Sequence, residues 1–372
     1  MNKFDSIRPY DDSEVSLVLS RLVEDRDLQN LFISSSSALS KLSKLPFIHF
    51  IAAKLLKSKA KKIKTIKDYQ DIFKNIVDEV IKNTIYNFSV EGLDYIDENE
   101  SYLFISNHRD ITLDSALLNY SLYKNNLKTT NNAVGNNLVE EGWASDLMRL
   151  NKSFIIDRSG KSKRAIYDSL NIASEFIQDR ILDKNESVWI AQKQGRSKDG
   201  IDITDPSVLK MIHLHSRRSN NISQSLNSLK VIPVAISYEY DPNDILKAKE
   251  VFSSINGVEY RKKKGEDLKS ISDGITLEKG NVSLSIGKQI LFEGDDYLEC
   301  ASRISDNIKS LYKNHATNYA ADLILKNKEI KVDVIDEHLK DGYRYLQKKM
   351  SYIPEELHDT FLKQYSLSLI HI

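Results

Sequence analysis

Histidine is the side chain best suited to move a proton near neutral pH. His108 stands in the stretch Ser106-Asn107-His108-Arg109-Asp110-Ile111-Thr112-Leu113-Asp114, directly after the apolar run Tyr102 to Ser106. A histidine just beyond a strand's carboxyl end lies where α/β folds place their sites. A carboxylate on the following turn can accept from its second ring nitrogen, which fixes the tautomer and stabilises the imidazolium. Asp110 and Asp114 are both within reach, and spacing alone does not choose between them. The same residues would also suit a helix start, where first-turn acids favour the helix dipole.

Two further stretches carry fixed cations. Lys152 to Ser159 reads KSFIIDRS and puts Arg158 at the end of an apolar run, ahead of Lys161, Lys163 and Arg164. Guanidinium is a planar fork matched to phosphate oxygens. Ala191 to Gly200 reads AQKQGRSKDG, again after a strand-length run. There Gly195 allows close backbone approach and Arg196 adds a second cation. Taken singly, the first is equally a solvated basic helix start and the second an ordinary polar turn. In Val231 to Ile236, Pro233 interrupts an apolar run. Proline removes a ladder donor, so it marks an edge, a bulge or a pocket wall, or else the strand begins at Val234.

The order of these four stretches resembles the glycerolipid acyltransferase family, which includes glycerol-3-phosphate and 1-acylglycerol-3-phosphate acyltransferases. The resemblance runs from about Phe88 to Gly287. It implies an O-acyltransferase in which an acceptor hydroxyl attacks an acyl thioester directly. The donor would be acyl-CoA or acyl-carrier protein, and the acceptor a phosphorylated glycerolipid. No metal and no further cofactor are implied. His108 would be the general base. The family's acid falls five residues after the histidine, where this chain has Leu113. Asp114 is favoured as the partner by analogy, with Asp110 its rival. Arg158 matches the family's phosphate-binding arginine, and Arg196 its basic residue after the glycine, here without the usual intervening residue. Arg109, Gln194 and Gly195 join the substrate-binding set, and Pro233 would line the acyl pocket. Gln194 replaces the family's glutamate. An amide accepts at oxygen but also donates at nitrogen, so the anion site becomes more positive. The alternative reading is a catalytically weakened lipid-binding or scaffolding protein on the same fold.

Around these motifs, strand-length runs alternate with helical periodicity. The runs are Phe88 to Val90, Tyr102 to Ser106, Phe154 to Ile156, Val188 to Ala191, Val231 to Ser237 and Val282 to Ile286. Helices are predicted over Ser115 to Tyr123, Lys163 to Asp179 and Asn243 to Ser254. This pattern predicts an α/β fold: a mixed, largely parallel sheet flanked by helices, with a helical N-terminal arm and a helical C-terminal tail. The zones are 1–87, 88–294 and 295–372. Gly195 to Ser228 reads as a long site-lining loop with a mobile part. His213-Leu214-His215, without a third ligand, reads as loop polarity.

Composition limits the remaining choices. The 372 residues carry 53 Lys+Arg and 53 Asp+Glu, and one cysteine excludes an internal disulfide. A chain of this length buries a core without staples. Zero net charge and no aromatic base-reading pattern argue against nucleic acid. The opening MNKFDSIRPYDDSEV lacks the apolar core of a signal peptide. Lys54 to Lys67 reads KLLKSKAKKIKTIK, seven lysines and no acid, after the apolar stretch Leu42 to Leu56. A basic helix with an apolar side suits the surface of an anionic bilayer. Residues 42–67 are therefore expected to meet a membrane, with the protein cytoplasmic and peripheral on the inner face.

Overall fold

The computed structural model describes residues 3–35, 47–136, 142–263, 265–327 and 335–371. In chain order its elements begin with α1 (Asp12–Glu24), α2 (Arg26–Ser35), α3 (Ile48–Ala60), α4 (Ile66–Thr84), β1 (Ile85–Glu91) and β2 (Leu103–Ser106). Next come α5 (Leu113–Lys124), β3 (Asn131–Gly135), α6 (Gly142–Leu150), β4 (Ser153–Ile156), α7 (Lys163–Gln178) and β5 (Val188–Ala191). Then follow α8 (Pro206–His213), α9 (Ile222–Ser228), β6 (Val231–Tyr238), α10 (Asp244–Ile255), α11 (Glu266–Thr276) and β7 (Gly280–Ile286). Four tail helices complete the series: α12 (Tyr297–Leu311), α13 (Ala316–Lys326), α14 (Lys340–Met350) and α15 (His358–Ser366).

Packing divides the chain into two compact units. The first is Met1–Ile76 with Asn131–Phe176; the second is Val77–Thr130 with Ile177–Ile372. In the first, α1 starts with a capping box between Asp11 and Glu14, which satisfies two orphan donors at once. Its apolar stripe, Val15, Val18, Leu19 and Leu22, packs on Trp143, Ala144 and Leu150 of α6. Ile48 and Ala52 of α3 bury against Ile33 of α2. Phe47, Phe50 and Leu55 of the same segment remain exposed. Residues 42–46 of the basic apolar stretch lie outside the described residues. β3 and β4 pair in parallel, Ala133 opposite Phe154, and Phe154 packs on Phe176 with ring centroids 4.8 Å apart.

The second unit holds five strands in the order β1-β7-β6-β2-β5. β1/β7, β2/β6 and β2/β5 are parallel; β6/β7 is antiparallel. The fold is thus α/β, with mixed, largely parallel strands flanked by helices. β2 and β6 are buried along their whole length, as strands covered on both faces must be, and so they read as continuous apolar runs. Pro233 sits inside central β6 opposite Ile105 of β2. Its carbonyl accepts from Gly287 N at 2.8 Å, so its missing N–H faces β7. Antiparallel pairing there begins only at Val234 opposite Ile286, so the absent donor falls at the end of the β6/β7 ladder rather than inside it. The tail helices bury Ala320, Ala321, Ile324, Leu346, Phe361 and Leu362 in a cluster shared with Ala248 of α10.

One expectation needs correction. Gly195 to Ser228 is not a long loop: it contains α8 and α9. Asp205 caps α8 with Pro206 at its start, and Val208, Leu209, Met211, Ile212, Ile222 and Leu226 are buried. His213, read as loop polarity, is 4% exposed in α8. Its Nδ1 lies 2.6 Å from the Tyr297 hydroxyl and its Nε2 2.9 Å from the Asn220 carbonyl.

Candidate active site

The turn between β2 and α5 is built by its own carboxylates. Asp110 Oδ1 accepts from Thr112 N and Leu113 N, both at 2.9 Å, and so closes the first turn of α5, where backbone donors are orphaned. Asp114 lies one residue into that helix. Its Oδ2 accepts from Arg109 N at 2.6 Å and Asp110 N at 3.0 Å, and lies 2.8 Å from His108 Nδ1. Its Oδ1 accepts from the Tyr238 hydroxyl at 2.8 Å. Of the two acids, Asp114 is therefore the one that meets the imidazole, and Asp110 is occupied with the helix. An ionised carboxylate only accepts, so Nδ1 carries the proton. Nε2 is then the basic nitrogen, and among the described residues it makes no hydrogen bond. The His108 side chain is 13% exposed, with the Trp189 ring edge-on at 5.9 Å.

A second carboxylate holds the turn from behind. Asp202, 0% exposed, accepts from Arg109 Nη2 at 2.5 Å and from Asn107 Nδ2 at 3.2 Å. Asn107 also bonds both backbone groups of Ile236, at 2.8 and 2.9 Å, and extends the β2/β6 pairing past Ser106. The Arg109 guanidinium is turned inward onto Asp202 and over the Tyr312 ring. Burial works against its charge, but Asp202, Tyr312 and Asp241 together outweigh it and the pKa rises. Lys247 reaches the Arg109 carbonyl at 2.7 Å and Asp241. Burial lowers the Lys247 ammonium below its ordinary range, whereas Asp241, pushed up by burial, is carried down further by Lys247. Burial, then the charge of Asp114, raise Asp110 above 3.8.

The Gly–Arg turn sits beside this one: Ser197 N donates to the His108 carbonyl at 2.6 Å. Gln194 and Gly195 are exposed. Gly195 has φ +75°, and a Cβ there would meet nothing within 4 Å, so backbone conformation rather than crowding calls for glycine. Arg196 is half-buried, and its Nη1 is buried without a hydrogen-bond partner. Its charge is felt at Asp110, Asp241 and Lys247. A small polar cavity nearby is lined by Arg109, Ser197, Gly200, Tyr238, Asp241 and Tyr312. Pro233 is buried against Gly287. His108, Arg109, Asp110, Asp114, Gln194, Gly195, Arg196 and Pro233 all belong to the second unit; Arg158, half-buried after β4, belongs to the first.

Sequence reading did not find Asp202, Tyr238, Asp241 or Lys247. Tyr238 had a signal: it shares the alternation of Val234 and Ile236 along β6. Asp202 had none beyond its place in a polar stretch.

Residues 87–237 match the family model described as Acyltransferase. No curated protein matches the chain. Two solved structures are similar in part. The 1-acyl-sn-glycerophosphate (LPA) acyltransferase PlsC from Thermotoga maritima is 13% identical over 79% of this chain and 94% of that chain, with a TM-score of 0.39. The signal recognition particle receptor FtsY from Elizabethkingia anophelis, in complex with GDP, is 12% identical over 80% and 92%, with a TM-score of 0.23. Scores this low leave the assignment to the family match. The His108–Asp114 turn, the Gly–Arg turn and Pro233 all fall inside the matched segment, so the site's residues lie in the part of this chain that is similar to the acyltransferase family.

Proposed function

We propose that this chain transfers a fatty acyl group from acyl-CoA or acyl-carrier protein to a hydroxyl of a glycerol-phosphate or lysophosphatidic acid-type acceptor, in phospholipid synthesis. The observation that carries the reading is His108 Nδ1 at 2.8 Å from Asp114 Oδ2, with Nε2 unbonded among the described residues. Nε2 takes the acceptor's hydroxyl proton as its oxygen attacks the thioester carbonyl. Asp114 stabilises the imidazolium that forms. Collapse of the tetrahedral intermediate breaks the C–S bond, and the imidazolium returns its proton to the leaving thiolate. General-base action of this kind contributes about 10²–10⁴-fold.

Two features of the Gly–Arg turn support the same chemistry. Arg109 N, Asp110 N and Ser197 N are already used inside the protein. The amides of Gly195 and Arg196 are the oxyanion donors in this reading, which preorganised N–H groups supply at low reorganisation cost. Arg196, with an unpartnered nitrogen, is the cation offered to the acceptor phosphate.

The test is a purified-protein assay with lysophosphatidic acid and acyl-CoA, reading release of free CoA thiol. Turnover that falls by about 10²–10⁴-fold in His108→Ala is the expected result. Unchanged turnover in that variant overturns the base assignment. No turnover with either class of donor, alongside binding to lipid, would favour the weakened lipid-binding protein instead.

A further inference from the structure

The geometry assigns Asp202 the role of a positioning residue for His108, an inference that rests on His108 being the base. Asp202 is fully buried and lies behind the turn, so any effect on the reaction passes through other groups. Both neighbours of His108 in the chain reach it: Asn107 Nδ2 at 3.2 Å and Arg109 Nη2 at 2.5 Å, on the same oxygen. Its other oxygen takes Gln192 Nε2 at 3.4 Å, just after β5. One carboxylate thus ties the ends of β2 and β5 and the turn between them.

The two acids divide the work on one short segment. Asp114 gathers the amides of Arg109 and Asp110 together with the imidazole. Asp202 gathers the side chains of Asn107 and Arg109. The backbone at His108 is therefore held from both sides, and the Ser197 amide on its carbonyl supplies a third restraint. Removing the Asp202 charge leaves the Arg109 guanidinium buried without its ion partner. A buried cation in that state is drawn toward water, and its reorientation releases the restraint that the Arg109 side chain places on the turn. The bond from Nδ1 to Asp114 would then loosen, and with it the fixed tautomer.

Asp202 is itself held. Ile201 O accepts from Lys193 Nζ at 3.1 Å and Ser197 Oγ at 3.2 Å. Gly200, at φ +81°, lies so close to the tail that a Cβ would stand 2.4 Å from the Gln364 carbonyl oxygen. The segment is fixed by α15 rather than free to follow the turn.

The experiment compares wild type with Asp202→Asn. Nitrogen-15 NMR of the histidine rings reports the His108 tautomer, with His108→Ala assigning the signal. The lysophosphatidic acid and acyl-CoA assay reports kcat and KM. The expected result in folded Asp202→Asn is loss of the single Nδ1–H tautomer. With it, kcat should fall between about tenfold and a hundredfold at nearly unchanged KM. A wild-type tautomer and kcat in the folded variant overturn the proposal. If Asp202→Asn does not fold, the charge-free pair Arg109→Leu/Asp202→Leu takes the same readings. A shifted tautomer there supports the proposal, and a wild-type signal overturns it. Failure of both variants to fold makes Asp202 a folding residue and also overturns it. Should wild type show no turnover, the catalytic reading fails, while the tautomer comparison still decides the positioning role.

Discussion

Asp110 and Asp114 are near neighbours in sequence with different chemical environments, and two predictions separate them. Asp114→Asn keeps the shape and an oxygen for the turn amides but cannot stabilise an imidazolium. It is expected to lower kcat by on the order of 10²–10⁴-fold, read in the acyl-transfer assay, with an unchanged unfolding midpoint. Asp110 gives a stability signature instead. Its pKa is raised above 3.8 by burial and by Asp114, so the fold holds its proton more tightly than the unfolded chain does. That stabilisation is complete below about pH 3.8 and is lost as pH rises through the raised value. Asp110→Asn keeps an oxygen for the Thr112 and Leu113 amides and does not ionise. Its melting temperature relative to wild type should therefore increase from about pH 4 to about pH 8; a flat difference would show that Asp110 carries no such shift. The His108–Asp114 pair was legible in sequence because it is local, within one turn and one helical start. Asp202 and Tyr238 were not, because they reach the turn from 93 and 124 residues away, and no local pattern encodes that pairing.

At the scale of elements, α11 is packed hard against the site turn. Gly274 is buried in that helix, and a Cβ there would stand 2.5 Å from Asp110 Oδ2. In an ordinary helix interior, glycine to alanine gains about 1 kcal/mol. Here the sign reverses, because Asp110 is pinned by the helix amides it caps. Gly274→Ala is expected to cost about 1–3 kcal/mol, seen as a lower denaturant midpoint at unchanged slope. The cost should shrink in Asp110→Ala/Gly274→Ala, where the obstructing carboxylate is gone; equal loss in both backgrounds would locate the clash elsewhere. The same elements show which signals carry in sequence. β2, β5 and β6 were readable as dense apolar runs. β3, reading NNAVG, has almost no strand-forming residues, and its pairing with β4 overrides its propensity. α8 was hidden by the polar stretch before it, although Asp205-Pro206 is a proper helix start.

Across the whole molecule, a net charge of zero conceals a segregated one. A reading along the chain sees zones in linear order, whereas packing joins Val15 and Leu19 to Trp143 and Leu150, contacts that sequence order does not display. In the first unit, α3 buries Ile48 and Ala52 and, at helical spacing, turns Phe50, Lys54 and Lys57 to the opposite, solvent side. Phe50 is 72% exposed. No helix among the described residues is long and apolar enough to cross a membrane. An exposed aromatic one turn ahead of Lys54, with Lys57, Lys61, Lys62 and Lys64 beyond it, would suit the surface of an anionic bilayer, where each lysine contributes about 1 kcal/mol. Reversing two charges in Lys54→Glu/Lys57→Glu removes at least about 2 kcal/mol, roughly thirtyfold in affinity for anionic vesicles. Sedimentation with such vesicles should show salt-sensitive binding by wild type, weakened to that extent in the double variant and also by Phe50→Ala. Equal binding of all three proteins, or equal binding to neutral vesicles, would remove α3 from the membrane contact. Because neither substitution touches His108, Asp114 or Arg196, turnover of a micelle-free, short-chain acceptor should stay at the wild-type rate, which separates docking at the lipid surface from the chemical step.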